Sequence, residues 1–150
     1  MIDAGRFTIA VFQDALWARR GVEALLRHGF DAGSLTIIAL ESASTTPLMS
    51  LLPGPAAASL ELGPLGRALA KGPLVAALQG NDDGLTSIGL GGTIRRAGFQ
   101  QHDGYIFETL TGRGGILVAV LSEPRAADAL ATFHAYGGGN AAIGAWTGRV

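Results

Sequence analysis

The chain has 150 residues, 48% of them hydrophobic, and its 11 Lys and Arg against 12 Asp and Glu leave a net charge of −1. That length suits one domain with a sizeable core, and the neutral balance gives no electrostatic footprint for nucleic acid or an anionic membrane surface. Cysteine is absent, which excludes disulfides, thiolate metal sites and cysteine nucleophiles.

Met1 to Arg6 lacks the basic segment and apolar run of a secretory signal, so a cytoplasmic location is the default expectation. Arg6-Phe7-Thr8-Ile9-Ala10-Val11-Phe12 reads as a strand. Asp14 then caps a helix over about 15–28, with Ala15, Ala18, Val22, Leu25 and Leu26 recurring at three- and four-residue steps on the buried face and Arg19, Glu23 and Arg27 opposite. Gly29 suits the left-handed position after the helix, and Phe30 packs back on Leu25. A second strand, 35–40, completes a βαβ repeat over 6–41.

Residues 42–114 read as a Gly/Ala-rich, largely helical insert. Residues 42–46 form a loop, 48–52 a short apolar piece and 53–58 a turn; short helices are expected over 65–70 and 74–78, split by Gly72-Pro73. A helix over 85–97 carries Gly89, Gly91 and Gly92, each weakening it by about 1 kcal/mol relative to Ala, a density that marks close backbone packing. A last helix over 101–111 turns Ile106 and Leu110 inward. Across 47–80, Pro53, Pro55, Glu61, Pro64, Arg67, Lys71 and Pro73 interrupt every stretch approaching the roughly 18 apolar residues of a membrane span, so no integral membrane segment is predicted.

A second repeat occupies 115–147: a strand over 115–121, a helix capped by Ser122 or Glu123 with Pro124 in its first turn and Ala126, Leu130 and Phe133 as its stripe, a stop at Gly137-Gly138-Gly139, and a strand over 141–146. Two such repeats predict an α+β fold of the ferredoxin-like, split βαβ kind, with one four-stranded antiparallel sheet in the order four-one-three-two. Both faces of that sheet are apolar: Ile9 and Val11 against Ala10 and Phe12, Ile37 against Ile38 and Leu40, Ile116, Val118 and Val120 against Leu117 and Leu121. Two helices cover one face, so the insert or a second copy must cover the other. The insert has few large apolar side chains, which predicts a homodimer with Phe12 and Leu121 among its least exposed residues.

A helix ending in Ala24, Leu25, Leu26, Gly29 and Phe30, and the passage Arg96, Ala97, Gly98, Phe99, Tyr105, Glu108, Gly114, Gly115, Ile116, Leu117 and Val118, resemble the bacterial general-stress and heat-induced-stress-like domains. The resemblance implies a ferredoxin-like fold and a link to stress; the family's molecular activity is largely undefined. The Arg-containing centre departs from the family's uninterrupted glycine repeats.

The chain has 23 glycines, but Gly112-Arg113-Gly114-Gly115 precedes a strand, whereas a phosphate cradle needs glycines between a strand and a helix, so a structural turn is the reading. His28 and His134 fall near helix ends and no histidine has metal-ligand spacing; no metal or cofactor is assigned. No serine sits in a nucleophile elbow, and Arg95-Arg96 with Phe99 reads as a solvated helix end. His102, Tyr105 and Glu108 follow at three-residue steps and bring an imidazole, a phenol and a carboxylate to one helix flank, fit for acid–base work or for anchoring a polar ligand. A solvated flank is the plainer reading. Gly104 and Arg113 leave room for a concave site, so His102, Tyr105, Glu108 and Arg113 are the ligand-binding candidates, and no catalytic residue is assigned. The leading function is a non-enzymatic, stress-associated binding or interaction module, working as a homo-oligomer or by holding a small ligand. An enzyme acting on a small polar substrate near the trio comes next, and peripheral membrane or envelope association through the Gly/Ala-rich segment third.

Overall fold

The structure, a computed structural model, describes residues 6–99, 101–121, 125–137 and 146–149. Its strands are β1 (Arg6–Phe12), β2 (Leu35–Leu40), β3 (Ala58–Glu61), β4 (Arg67–Lys71), β5 (Ile116–Leu121) and β6 (Trp146–Arg149). Its helices are α1 (Ala15–Arg27), α2 (Pro73–Gln79), α3 (Gly84–Ser87), α4 (Leu90–Arg96), α5 (Gln101–Gly112) and α6 (Ala126–Ala135). The fold is α+β. All described strands join one antiparallel sheet in the order β3-β4-β2-β5-β1-β6.

The terminal strands stand side by side as β2-β5-β1-β6, which is the expected order of the two repeats. The four-stranded ferredoxin-like plan is nevertheless corrected, because the insert adds two strands beyond β2 and stacks its own helices on the sheet. Arg67 to Ala70 fell within the helix expected over 65–70, since Ala and Leu favour one. Instead it pairs with the free edge of β2, Ala70 opposite Ile38 and Ala68 opposite Leu40. Ladder pairing with burial on both faces outweighs local propensity there. Gly63 and Gly66, both at positive φ, turn the hairpin, and Leu62 N–H donates to the Gly66 carbonyl at 2.9 Å.

The doubly apolar strands sort their side chains as alternation requires. On one face Ala10, Phe12, Ile37, Val118 and Val120 pack under Val22 and Leu25 of α1 and Phe133 of α6, with Leu48 and Met49 of the short 3-10 turn Thr46–Leu51. On the other, Phe7, Ile9, Val11, Ile38, Leu117 and Ala119 pack under Leu74 and Leu78 of α2, Leu85 of α3, Ile94 of α4 and Phe107 of α5. The insert therefore covers the second face. The face on which a homodimer was expected is thus filled from within; Phe12 is buried by its own chain, and Leu121 is 36% exposed. Many of the large apolar residues of 47–80 likewise turn inward, Leu48, Met49, Leu52, Leu62, Leu69, Leu74 and Leu78 all being buried.

Helix α1 follows its sequence closely. Asp14 accepts from Trp17 N–H at 2.9 Å, and after His28 the Gly29 and Phe30 amides donate back to the Leu26 and Leu25 carbonyls, with Gly29 at φ +87. The helix expected over 85–97 breaks at Gly89, whose φ of +101 ends α3 and starts α4. Helix α5 is rotated from its expected phase: Phe107, with Asp103 and Thr111 one turn either side, is buried, whereas Ile106 and Leu110 are half-buried. In α6, Ala129 and Phe133 are buried and Leu130 is half-buried. The expected caps at 122–124 lie outside the described residues, and α6 begins after Arg125. The strand expected over 141–146 also lies outside them except for Trp146, the first residue of β6.

Candidate functional site

The α4–α5 pair is built on glycine. A Cβ on Gly104 would lie 2.5 Å from the Gly91 carbonyl oxygen, so the two helices cross with their backbones in contact. One turn beyond Gly104, Glu108 reaches the start of α4. That helix is preceded by Gly89, which has no side chain to cap it, and the Glu108 carboxylate accepts the Gly91 N–H at 3.0 Å instead. The same device recurs at α2, where Gly72 precedes the helix and Thr36 Oγ1 of β2 accepts Leu74 N–H at 3.0 Å. In α3, Leu85 N–H is taken by Gln79 Oε1 at 2.8 Å.

Beside that crossing lies a shallow hollow of about 220 Å³, lined by Gly91, Gly92, Arg95, Tyr105 and Glu108. Tyr105 is 68% exposed at its rim. His102 does not line it: its side chain is 63% exposed, and its Nε2 is 3.2 Å from Asp103 Oδ1. The expected trio is thus separated. Two members share a hollow, the third faces elsewhere, and the carboxylate is already engaged as a helix cap.

Arg113, just past the C-terminus of α5, lines a different hollow of about 420 Å³ at the end of the sheet, together with Val11, Phe12, Gln13, Leu110 and Gly115. Its guanidinium makes no hydrogen bond or ion pair with the described residues. Arg96 is differently placed, donating to Asp82 Oδ2 at 2.7 Å and to the Leu78 carbonyl at 2.8 Å. Its hydrogen bond holds the Asp82 carboxyl below the usual carboxylate range.

Asp103 was missed in the sequence. It is 1% exposed, and among the described residues neither carboxylate oxygen accepts a hydrogen bond of good geometry, an uncommon state for a buried polar group; the His102 Nε2, at 3.2 Å from Oδ1, is an ion-pair neighbour. The signal was its place four residues before Phe107 and four after Phe99, on the inward line of α5. Of the histidines near helix ends, His28 has a structural place. His28 caps α1 with its Nδ1 3.1 Å from Thr132 Oγ1; that hydroxyl donates to the Asp128 carbonyl, so Nδ1 carries the proton toward it. Arg125 donates to the His28 carbonyl at 2.7 Å and lies over the Phe30 ring, its guanidinium carbon 4.1 Å from the centroid. Among the described residues no three His, Asp or Glu gather as metal ligands, and no helix is long and apolar enough to cross a membrane.

Fold and hollows together define an α+β domain whose sheet is covered on both faces and whose candidate ligand sites lie at the sheet end and on a helix crossing. Comparison with protein families, curated proteins and solved structures finds no match to the chain. The resemblance to stress-associated domains rests on the residues that carry it.

Proposed function

We propose that the chain is a non-enzymatic binding module that holds a small ligand, with the Arg113 hollow as its site. One observation carries the reading: a guanidinium with no partner among the described residues lines a hollow of about 420 Å³ whose other walls are mainly apolar, the mix of features that ligand sites share. The α5 flank supports an enzyme less well, because Glu108 is tied to Gly91 N–H and His102 does not reach the hollow that Tyr105 and Glu108 line. Of the two modes expected for such a module, ligand holding is favoured over oligomerisation, since the second sheet face is filled from within. The association with stress comes from the sequence resemblance alone. Incubating the full chain with a small-molecule cell extract, followed by ultrafiltration and mass spectrometry, tests the reading. A compound retained about one per chain and recovered unchanged is expected; a compound consumed many times over per chain would replace the module with an enzyme.

A further inference from the structure

We infer that the sheet-end hollow takes a small amphipathic monoanion, its acid group on Arg113 and its apolar body along Val11 and Leu110 toward Trp17. The inference rests on the binding-module reading and gives it a ligand class. Four observations carry it. The Arg113 hollow has a neighbour of about 290 Å³ that includes Trp17, and Gln13 and Gly137 line both. Between them the two hollows offer a cation, aliphatic side chains and an indole, a set that matches a molecule with one charged end. A guanidinium offers forked N–H donors that fit a carboxylate or sulfonate, and the planar pairing is stronger than a neutral hydrogen bond. Among the described residues Arg113 is the cation that lines the two hollows, and Arg20 is held over the Trp17 ring, 5.1 Å from its centroid, so the acid group is placed at the Arg113 end. The nearby acid, Asp14, is turned onto its own helix by the bond from Trp17 N–H and does not line either hollow.

The probes are 2-naphthoate and 2-naphthol, which share a ring system and differ in charge at neutral pH. Amide NMR titration of the full chain should show naphthoate shifting Gln13, Gly115 and Gly137, with naphthol binding more weakly. Arg113→Gln, at an exposed position, should weaken naphthoate at least tenfold and leave naphthol unchanged, the scale expected when a charge-assisted pair is lost. Arg113→Lys should recover part of the loss. Equal affinity for the two probes, unchanged naphthoate binding in Arg113→Gln, or shifts confined to the α4–α5 hollow would overturn the assignment. Those results are distinct from failure of the module reading itself, which is consumption of a compound from the extract.

Discussion

Glu108 of α5 accepts the backbone N–H of Gly91 at 3.0 Å, so the carboxylate of one helix caps the next. The arrangement exists because the chain enters α4 through Gly89 at φ +101, a conformation that suits glycine but supplies no capping oxygen. Glu108→Ala should therefore cost about 0.5–2 kcal/mol in urea denaturation, the range for losing a helix cap. Glu108→Gln keeps an acceptor oxygen and should lose less. Equal losses in the two variants would mean that charge, and not the cap, is what α4 needs.

The glycines of α4 and α5 are not equivalent. Gly104→Ala sets a methyl 2.5 Å from the Gly91 carbonyl, where only backbone movement gives relief, and should cost about 1–3 kcal/mol. Gly92→Ala meets the Cγ2 branch methyl of Ile88, which a turn about χ1 of that exposed side chain moves aside. The gain in helix propensity, about 1 kcal/mol, should leave that variant neutral or more stable. Thermal melts ranking the two in the opposite order would contradict the close crossing.

Leu25→Ala should cost about 2–5 kcal/mol, because Leu25 is fully buried between α1 and the sheet. Leu130→Ala should cost less, since Leu130 is half-buried, and Arg19→Ala, which removes no core side chain, should be nearly silent. Denaturant midpoints with Leu130 the more sensitive site would mean that α6 turns a different face inward.

How much of this was legible follows from which interactions are local. Strands β1 and β2 and helix α1 were read nearly to the residue because alternation, the Asp14 cap and the Gly29-Phe30 closure are written within a few positions. Strand β4 was not, because Ala68-Leu69-Ala70 has helix-forming residues and becomes a strand only by pairing with β2. The phase of α5 was misjudged because its buried line runs through Asp103 and Thr111, polar residues that a hydrophobic pattern skips. At the candidate site, residue types in steps of three foretold a shared flank for His102, Tyr105 and Glu108. They could not foretell that the uncapped start of α4, through the Gly91 N–H 17 positions away, would claim the carboxylate. Arg113 was named in the sequence as a neighbour of that trio, and only the course of β1 and α5 puts it in a separate hollow.

Asp82 and Arg96 give a pH signature. The guanidinium lowers the Asp82 carboxyl below its ordinary value of 3.8, so the folded state binds that proton more weakly than the unfolded chain does. The pair's contribution is present at neutral pH and lost as pH falls through the lowered value. Asp82→Asn should lower Tm slightly at pH 7, and the difference from wild type should vanish in strong acid. The effect is small because the pair sits in water. A difference that grew on acidification would contradict the assignment.

Ligand retention compared across three forms of the 150-residue chain decides between the sheet end and the α5 flank. Wild type, Arg113→Gln and a His102→Ala/Tyr105→Phe double variant are each incubated with the same cell extract, filtered and analysed for bound small molecules. Retention should fall at least tenfold in Arg113→Gln and be unchanged in the double variant, in keeping with loss of a charge-assisted contact. Retention lost in the double variant and kept in Arg113→Gln would move the site to the helix flank and contradict the function proposed for the hollow.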